Sequence, residues 1–354
     1  MFSSLARQQW VRSSLPVLVA AVVIMTAPSL VTGSFWQRVI ILALFNVVLA
    51  MSLNLVIGYT GLLALGHGAF LGIGAYTSAV LTTTYEWAFW AAFFVAGITA
   101  AACGLLLAVI TLRLRGHYLA IATLGFAVIV YQVLMNWIDV TRGPLGIPGI
   151  PTPPNIPLGN GTELDFGLPA AHIYLAGAFA IVCYVLIRRI VNSPMGDALR
   201  AVREDEISAK SLGIRTFAWK CFAFTVAAFA AGLTGSLYAG YMGILEPSAF
   251  VLTVSFTLLA MVIVGGAGTL VGPVIGALVL TIVPEALREV GPEYRMILYG
   301  LALTLVVLFF PQGLVGIGAA LRSRFRSSSR SKPDEPPSDS TGTGFAKEVP
   351  VDAS

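Results

Sequence analysis

VIILALFNVVLAMSLNLVIG, residues 39–58, is a run without a single charged residue. A helix of about 20 residues is roughly 30 Å long, which is the thickness of the hydrocarbon core of a bilayer. The rest of the chain has the same character, since 57% of its 354 residues are hydrophobic and only 11% are charged. The sequence therefore predicts an all-α polytopic membrane protein, because a transmembrane barrel would show short alternating segments instead.

Runs of this kind define ten candidate membrane spans. Their approximate limits are 14–32, 39–58, 62–83, 88–112, 118–137, 171–190, 217–239, 250–266, 269–286 and 295–313. The first run could be a signal peptide, but a retained helix is favoured because no small-residue cleavage site follows it. Short Gly-rich turns join the second run to the third and the eighth to the ninth, and they allow broken or re-entrant pieces. Between eight and eleven crossings are therefore compatible with the sequence.

Lysine and arginine are distributed unevenly between the loops. With ten spans and the N-terminus inside, 17 of the 21 basic residues fall on the cytoplasmic side. The positive-inside rule then predicts that both termini are cytoplasmic. The expected organisation is a cytoplasmic N-terminus at 1–13, a transmembrane domain at 14–318 and a basic, polar cytoplasmic tail at 319–354. The tail is too poor in apolar residues to offset its ordering entropy, so we expect it to be disordered.

One long loop, 138–170, is predicted on the external side. Its sequence is rich in proline and glycine, which indicates a stiff segment of turns without helical periodicity. A structural cap, a lid over a pore and a docking surface for an external partner are all compatible with this composition.

Several kinds of chemistry leave no trace in the sequence. No Asp or Glu falls in the middle of a span, and His67 lies within a span only near its start, which argues against a proton-driven carrier. A sodium site built from backbone carbonyls stays open. No G-x-x-x-x-G-K-[ST] motif, metal-ligand cluster or catalytic triad is present, so we expect neither an enzyme nor a chain that binds a cofactor or metal. Cys103, Cys183 and Cys221 lie in or beside apolar runs and are interpreted as small buried hydrophobes.

Residues 192–214, NSPMGDALRAVREDEISAKSLGI, interrupt this apolar pattern with seven charged residues. At about 3 kcal/mol each, placing them in lipid would cost about 20 kcal/mol, so the segment belongs in water or against protein. Ser193 is a suitable N-cap and Pro194 a suitable first helical residue. One apolar stripe follows at helical spacing: Met195, Ala198, Leu199 and Val202.

The stripe runs into Asp205 and Glu206, which predicts a break in the helix. A second short helix is expected over Ile207–Leu212, with Gly213 as its C-terminal stop. The product is a helical hairpin with one apolar face. It is either an amphipathic connector lying on the lipid surface or a docking element for a cytoplasmic partner.

Several stretches together resemble the LivM type of permease found in branched-chain amino acid importers. The segment SPMGDALRAVREDEISAKSLGI (193–214) is similar to the cytoplasmic loop through which ABC importer permeases contact their ATPase. The resemblance covers residues 40–318 in order, through GYTGLLALGHGAFLGIGAYTSAVL (58–81), RGHYLAIATLGFAVI (115–129), RGPLGIPGI (142–150), AGLTGSLYAGYMGILEPSAF (231–250), VIVGGAGTLVGPVIGALVL (262–280) and YGLALTLVVLFFPQGLVG (299–316).

The resemblance implies a role for the chain and for its neighbours. It implies a permease domain at 14–318, with a cytoplasmic coupling loop at 191–216, in the inner membrane of a bacterium. The implied partners are a homologous, LivH-like second permease, two ABC ATPases that bind ATP and Mg²⁺, and a periplasmic or lipid-anchored binding protein. The residues implied to contact the ATPase are Pro194, Gly196, Ala201, Arg203, Glu204, Asp205, Ala209 and Gly213.

Two Gly-rich runs, 58–76 and 265–276, share a crude pattern that suggests a weak parallel repeat. Glycine in membrane helices allows close packing, and it also allows breaks where the backbone faces protein or water. His67 lies at such a place, either as a packed, hydrogen-bonded histidine or as a substrate ligand. The candidate residues of a translocation pathway are Gly66, His67, Gly68, Tyr76, Thr123, Tyr131, Gly265, Gly266 and Gly268.

Departures from the family pattern leave the substrate open. Ala127 and Val128 follow Phe126 where many LivM-type relatives carry an acidic residue, and Arg142 precedes Gly-Pro where many have another glycine. Permeases for urea and short amides, or for other amino acids, are the nearest alternatives. A sodium-coupled carrier acting without an ATPase and a membrane scaffold that transports nothing are alternatives of other classes.

Overall fold

The computed structural model describes residues 25–26, 33–114, 116–157, 163–287 and 300. Beyond Met25 and Thr26, the helices of these residues are α1 (Ser34–Thr60), α2 (His67–Thr83), α3 (Phe89–Thr111), α4 (His117–Asn136), α5 (Ile138–Thr141), α6 (Pro169–Val191), α7 (Pro194–Glu204), α8 (Glu206–Ser211), α9 (Thr216–Met242), α10 (Leu252–Gly265) and α11 (Gly272–Ala286). Short 3₁₀ turns cover Gly143–Leu145 and Pro247–Phe250, and the strands are β1 (Ile147–Pro148), β2 (Ile156–Pro157), β3 (Glu163–Leu164) and β4 (Ile244–Leu245).

Each of the eight predicted spans between 39 and 286 coincides with a helix. Among the described residues, six helical segments are long and apolar enough to cross a membrane: α1, α3, α4, α6, α9 and the segment Pro247–Gly265 that contains α10. The other two, α2 and α11, have 17 and 15 residues. An all-α polytopic membrane fold is therefore confirmed. The spans predicted at 14–32 and 295–313, both termini and the tail at 319–354 lie outside the described residues, so the count of ten stays a prediction.

Two helices begin later than the sequence predicted, because glycines break the chain ahead of them. Gly61 ends α1 with a left-handed φ of 72°, and α2 starts only at His67. Gly266 and Gly268 have φ values of 117° and 83°, and α11 starts at Gly272 instead of 269. Positive φ is readily adopted by glycine and terminates a helix. The Gly-rich turns foreseen at these two places are thus real breaks.

Helices α1 and α9 form the centre of the bundle, and α4 lies at its edge. In the most apolar part of each helix, 72% of residues are buried in α1 and in α9, against 28% in α4. Glycine allows α2 and α9 to approach closely, since a Cβ added at Gly74 would lie 2.2 Å from the carbonyl oxygen of Gly232. Close backbone approach at small residues is the usual way in which membrane helices pack.

The loop at 138–170 is tied to the junction between α9 and α10. Strand β1 pairs antiparallel with β4, with Ile147 opposite Leu245, and the amide of Ile150 donates to Gly243 O at 3.0 Å. This loop contains one helical turn, α5, and short strand pairs, so it has more regular structure than its composition predicted. The hairpin at 192–214 lies instead where α6 ends and α9 begins.

Candidate functional site

Residues 192–214 form the helical hairpin that the sequence predicted. Ser193 caps α7, since its Oγ accepts a hydrogen bond from Met195 N at 3.3 Å, and Pro194 is the first helical residue. The chain turns at Asp205, whose backbone is extended, with φ −156° and ψ 115°. The Asp205 carboxylate then accepts from the amides of Ile207 and Ser208 and from the Ser208 hydroxyl, so one residue ends α7 and caps α8.

Hydrogen bonding at this turn affects the Asp205 side chain itself. The Ser208 hydroxyl and the Ile207 amide donate to its carboxylate and lower the pKa of Asp205. Gly213 follows α8 with a φ of 82°, as expected for a C-terminal stop. The predicted break between the two short helices, and the signals that set it, are therefore confirmed.

The inner face of the hairpin packs against its own chain. Leu199, Val202 and Ala209 are buried, whereas Met195, which the apolar stripe placed with them, is 43% exposed. Gly196 is buried too, and a Cβ there would lie 2.0 Å from the carbonyl oxygen of Val191 at the end of α6. The close approach that glycine allows at Gly196 is thus made to α6.

An ion-pair network fixes α8 to the first turns of α9. Glu206 pairs with Lys220 at 2.6 Å and with Lys210 at 3.0 Å, and it accepts from the Thr216 hydroxyl at 3.2 Å. The hydrogen bond from Lys220 is the main reason why the pKa of Glu206 falls from 4.5 to about 2. Lys220 is buried with a side chain only 9% exposed, so the pair holds a cation that would otherwise be unpaired.

Arg203 joins the hairpin to both helix breaks. Its Nη1 donates a hydrogen bond to the carbonyl oxygen of Gly58 in the last turn of α1. A Cβ added at Gly61 would lie 3.2 Å from Arg203 Cγ, and one at Gly268 would lie 2.3 Å from Arg203 Nη1. The side chain therefore lies among three glycines that belong to the two Gly-rich runs.

Asn54 connects the same two breaks from inside the bundle. This side chain is 2% exposed, its Oδ1 accepts from Gly268 N at 2.9 Å, and its Nδ2 donates to Thr269 O at 2.8 Å. A Cβ at Gly58 would lie 2.0 Å from Asn54 Oδ1 and 2.4 Å from Gly268 N. The end of α1 and the turn after α10 are therefore in direct contact.

The outer face of the hairpin is mostly polar, but besides Met195 it carries two large apolar side chains that are more exposed still. Ile207 is 71% exposed and Leu212 is 79% exposed. Pro194, Arg203, Glu204, Asp205 and Gly213 are exposed as well, and Ala201 is half-buried. These exposed apolar side chains are available to a protein partner, and a contact that covered them would remove apolar surface from water.

His67 at the start of α2 is a packed, hydrogen-bonded histidine in this structure. It is 3% exposed, and its Nε2 lies 2.9 Å from Ser52 Oγ. The Ser52 hydroxyl donates to Leu49 O at 2.9 Å, so its oxygen is left to accept, which places the proton of His67 on Nε2. Of the two roles that the sequence left open for His67, the geometry favours the packed one.

The residues beside His67 are tied to two further helices. The amide of Gly68 donates to Ser255 Oγ in α10 at 2.9 Å, and the amide of Leu65 donates to Thr123 Oγ1 in α4 at 2.9 Å. A cavity of about 10 Å³, enough for about one water molecule, lies beside them. Its lining is Leu53, Val56, Ala64, Gly66, His67, Phe70, Leu107, Thr123, Phe224 and Ala227.

The remaining pathway candidates lie elsewhere. Tyr76 is about 13 Å further along α2 by helical rise. Its ring contacts Phe250, and its buried hydroxyl has no hydrogen-bond partner among the residues that the structure describes. Tyr131 is half-buried on α4, next to an open groove of about 700 Å³ lined by Val128, Ile129, Gln132, Val133, Asn136 and Trp137. Gly265, Gly266 and Gly268 form the second break. The structure thus brings Gly66, His67, Gly68 and Thr123 together and leaves the others apart.

Sequence reasoning missed several residues that organise this region. Ser52, Asn54 and Ser255 were not singled out, although each is a polar residue inside an apolar run. Ile207 and Leu212 were assigned only to a helix, although each is a large apolar residue in a charged segment. Gly58 and Gly61 were part of a Gly-rich run, but their contact with Arg203 has no signal in the sequence.

Comparison with known proteins places the chain among transport proteins. The model of the family "Branched-chain amino acid transport system / permease component" matches residues 35–307. The high-affinity branched-chain amino acid transport system permease protein LivM of Escherichia coli K12 is 38% identical over 315 residues, which cover 84% of this chain and 74% of that protein. The permease protein LivH of the same kind of system in Salmonella typhimurium is 27% identical over 282 residues, which cover 76% and 90%. No solved structure matches the chain.

Proposed function

The chain belongs to the family of branched-chain amino acid transport system permease components, and from this membership we infer that it is the membrane permease subunit of an ABC importer for branched-chain amino acids. The multi-pass helical bundle agrees with that function. The relatives are permeases of such systems, and both LivM and LivH types are among them, which supports a pair of homologous permeases. The chain itself provides a pathway and carries out no bond chemistry.

The observation that supports an ATP-driven mechanism most strongly is the geometry of the helical hairpin at 192–214. It is capped at both short helices, fixed to α6 and α9 on its inner side, and exposes Ile207 and Leu212 on its outer side. A connector lying on lipid needs no such network of fixed contacts. We propose that this outer face docks on an ABC ATPase, which binds ATP and Mg²⁺ and supplies the energy.

The residues that the resemblance implied to contact the ATPase divide into two groups in this proposal. Gly196 and Ala209 are buried and hold the hairpin in shape, whereas Pro194, Glu204, Asp205 and Gly213 are exposed and available to the partner. Ala201 lies between these groups. Exposed charges contribute little affinity by themselves. The apolar pair Ile207 and Leu212 is therefore the expected centre of the contact.

The edge helix α4 is our candidate for contact with the second permease. Its exposed face carries Gly125, at which a Cβ would meet nothing within 4 Å, and the polar Gln132 and Asn136 among apolar residues. The exposed large side chains of α3 are instead all apolar. A face with an open glycine and amide side chains suits a neighbouring helix or a polar pathway better than it suits lipid.

The location of the protein, its membrane topology and its external partner are proposals of the same kind. We place the protein in the inner membrane of a bacterium, with ten spans and both termini in the cytoplasm, as the distribution of basic residues predicts. A periplasmic or lipid-anchored binding protein would deliver the substrate to the side that carries residues 138–170. A sodium-coupled carrier working alone would need no docking hairpin.

Co-purification tests the proposed ATPase contact. The chain is expressed with a second permease and the P-loop ATPase from its own genome, then purified in mild detergent through a tag on the chain alone. We expect both partners to elute with it, and Glu204→Arg, an exposed charge reversal, to weaken ATPase retention. The proposal would be contradicted if the chain purified without the ATPase and transport continued in the absence of the ATPase.

A further inference from the structure

Arg203 is exposed on the hairpin, yet its guanidinium reaches into the chain's own Gly-rich turns. We propose that Arg203 is a positioning residue that carries movement of the hairpin to both helix breaks at once. The inference rests on the function proposed above, and it deepens that function by naming the link between the docking face and the membrane helices. The resemblance had implied a different role for this residue, contact with the ATPase.

The two breaks that Arg203 joins are equivalent within the weak repeat. GYTG (58–61) and GGAG (265–268) each have a glycine in the fourth position, and those residues, Gly61 and Gly268, have φ values of 72° and 83°. Each follows a helix that ends beside the hairpin. One side chain therefore lies where two corresponding turns meet.

The space that Arg203 occupies exists only because these positions lack a side chain. A Cβ at Gly268 would lie 2.3 Å from Nη1, which is shorter than any real contact, and one at Gly61 would lie 3.2 Å from Cγ. The same Cβ at Gly268 would lie 3.0 Å from Gly58 O, the acceptor of the hydrogen bond. Glycine at both turns thus leaves room for one extended arginine side chain.

The chemistry of the contact suits arginine in particular. Gly58 O belongs to the last turn of α1, where carbonyl groups lack partners within the helix and the helix dipole is negative. The amides of Gly61 and Leu62 bond to Ile57 O and Val56 O, so these bonds leave Gly58 O to Arg203. A guanidinium is a cation that presents several donors in a fixed fork. The link therefore combines charge with a directional geometry.

The position of Arg203 within the hairpin allows it to pass movement of the docking face to the two helix breaks. It lies two residues before the turn at Asp205, and the outer residues Ile207 and Leu212 follow that turn. A push on those residues tilts α7 and moves Arg203 relative to Gly58 and Gly268. Asn54 already joins α1 to Gly268 and Thr269. A movement of Arg203 therefore reaches both breaks at the same time.

Reconstitution of the full importer tests the proposal, with ATP hydrolysis and uptake of a labelled branched-chain amino acid measured in the same vesicles. We expect Arg203→Gln to retain the ATPase and its hydrolysis of ATP. The amount of substrate taken up per ATP should fall about tenfold, which is within the range of typical couplings between two sites. Arg203→Lys, which keeps the charge and one donor, should restore part of the ratio. If Arg203→Gln does not accumulate, Arg203→Lys is compared with wild type directly.

Arg200→Gln is the matched control. Arg200 lies on the same helix and also contacts the end of α1, with its guanidinium 5.8 Å from the Tyr59 ring centroid, but its hydrogen bonds go to Asp197 and to Val191 O and not to Gly58 O. It should keep most of the uptake per ATP. An unchanged ratio in Arg203→Gln would overturn the proposal, and so would loss of the ATPase from that variant, since Arg203 would then be a partner contact. Failure of the wild-type importer to couple uptake to ATP would instead contradict the proposed function.

Discussion

Arg203 donates a hydrogen bond to the carbonyl oxygen of Gly58, a residue 145 positions earlier in the chain. One partner belongs to a charged hairpin and the other to the last turn of a membrane helix. The contact therefore links the surface on which we place the ATPase to the helices that we expect to form the pathway.

Replacing the exposed apolar pair on the hairpin should separate the chain from its ATPase. Ile207→Asp and Leu212→Asp put charges at the expected centre of an apolar contact, where a buried, unpaired carboxylate is costly. We expect at least about a tenfold loss of ATPase retention in co-purification, since loss of a central contact is often about 2 kcal/mol. Leu145→Asp makes the same change at a leucine that is 84% exposed in the loop at 138–170, and it should leave retention intact. Equal retention in all three variants would rule out this face.

The contact between Arg203 and the turn after α10 can be tested with two glycines of similar backbone conformation. Gly268 and Gly243 have φ values of 83° and 68°, so alanine strains both by about 1 kcal/mol. Only at Gly268 would the new Cβ meet Arg203 and Gly58, whereas at Gly243 it meets nothing within 4 Å. Gly268→Ala should therefore lower both thermal stability and uptake far more than Gly243→Ala. Similar effects in the two variants would show that the contact with Arg203 contributes nothing.

The Glu206–Lys220 pair makes stability depend on pH. Because the pKa of Glu206 is about 2 in the folded chain and 4.5 ordinarily, its contribution is complete above about pH 4.5 and is lost as the pH falls towards 2. Glu206→Gln should cost about 1–2 kcal/mol at pH 7, a value reduced for partial exposure, and the difference from wild type should shrink below pH 4.5. Thermal unfolding in detergent across that range measures it.

Asp197→Asn is the control for that measurement. Asp197 pairs with Arg200 at 2.9 Å, but its side chain is 77% exposed, so water screens the pair. The variant should unfold within about 0.5 kcal/mol of wild type at every pH. A difference between wild type and Glu206→Gln that does not change with pH would show that the carboxylate charge is not what stabilises α8 on α9.

His67 should prove to be a structural residue. Ser52→Ala removes the acceptor of its buried Nε2–H, which should cost about 1–3 kcal/mol of stability and leave the KM for uptake unchanged. Thr257→Ala removes an exposed hydroxyl that bonds only its own helix, and it should have little effect on either quantity. A rise in KM without a loss of stability in Ser52→Ala would assign His67 to the substrate pathway.

The exposed face of α4 should lie against the second permease. Ile129→Cys on α4 and Ile98→Cys on α3 create thiols at positions that are 63% and 60% exposed. A short bifunctional thiol reagent should cross-link Ile129→Cys, but not Ile98→Cys, to the second permease. For this test the second permease carries single cysteines at successive positions along the helix that corresponds to α4. Cross-linking through Ile98→Cys alone would place the subunit interface on α3 and leave the α4 groove to lipid.

Much of this architecture follows from local patterns in the sequence. The caps of the hairpin, its break at Asp205 and its stop at Gly213 are set by neighbouring residues, so they could be predicted. Eight helices could be placed for the same reason, because apolar runs of membrane length have few other outcomes. The breaks were located only approximately, since glycine permits a positive φ without requiring it.

Long-range contacts could not be predicted in this way. Whether Arg203 points outwards to a partner or inwards to Gly58 depends on how α1, α7 and the turn after α10 meet, and no local spacing encodes that. The same holds for Gly196, where the lack of a side chain allows close approach to the backbone of Val191 in the same chain. His67 had two possible roles until its position opposite Ser52 was known.

ATP-dependent uptake into proteoliposomes tests the central claim most directly. The two permeases, the ATPase and the loaded binding protein are reconstituted, and accumulation of labelled leucine is followed with and without ATP on the ATPase side and with and without a sodium gradient. We predict accumulation that requires ATP and is indifferent to sodium. Accumulation driven by the sodium gradient with this chain alone, and without the ATPase, would contradict the account.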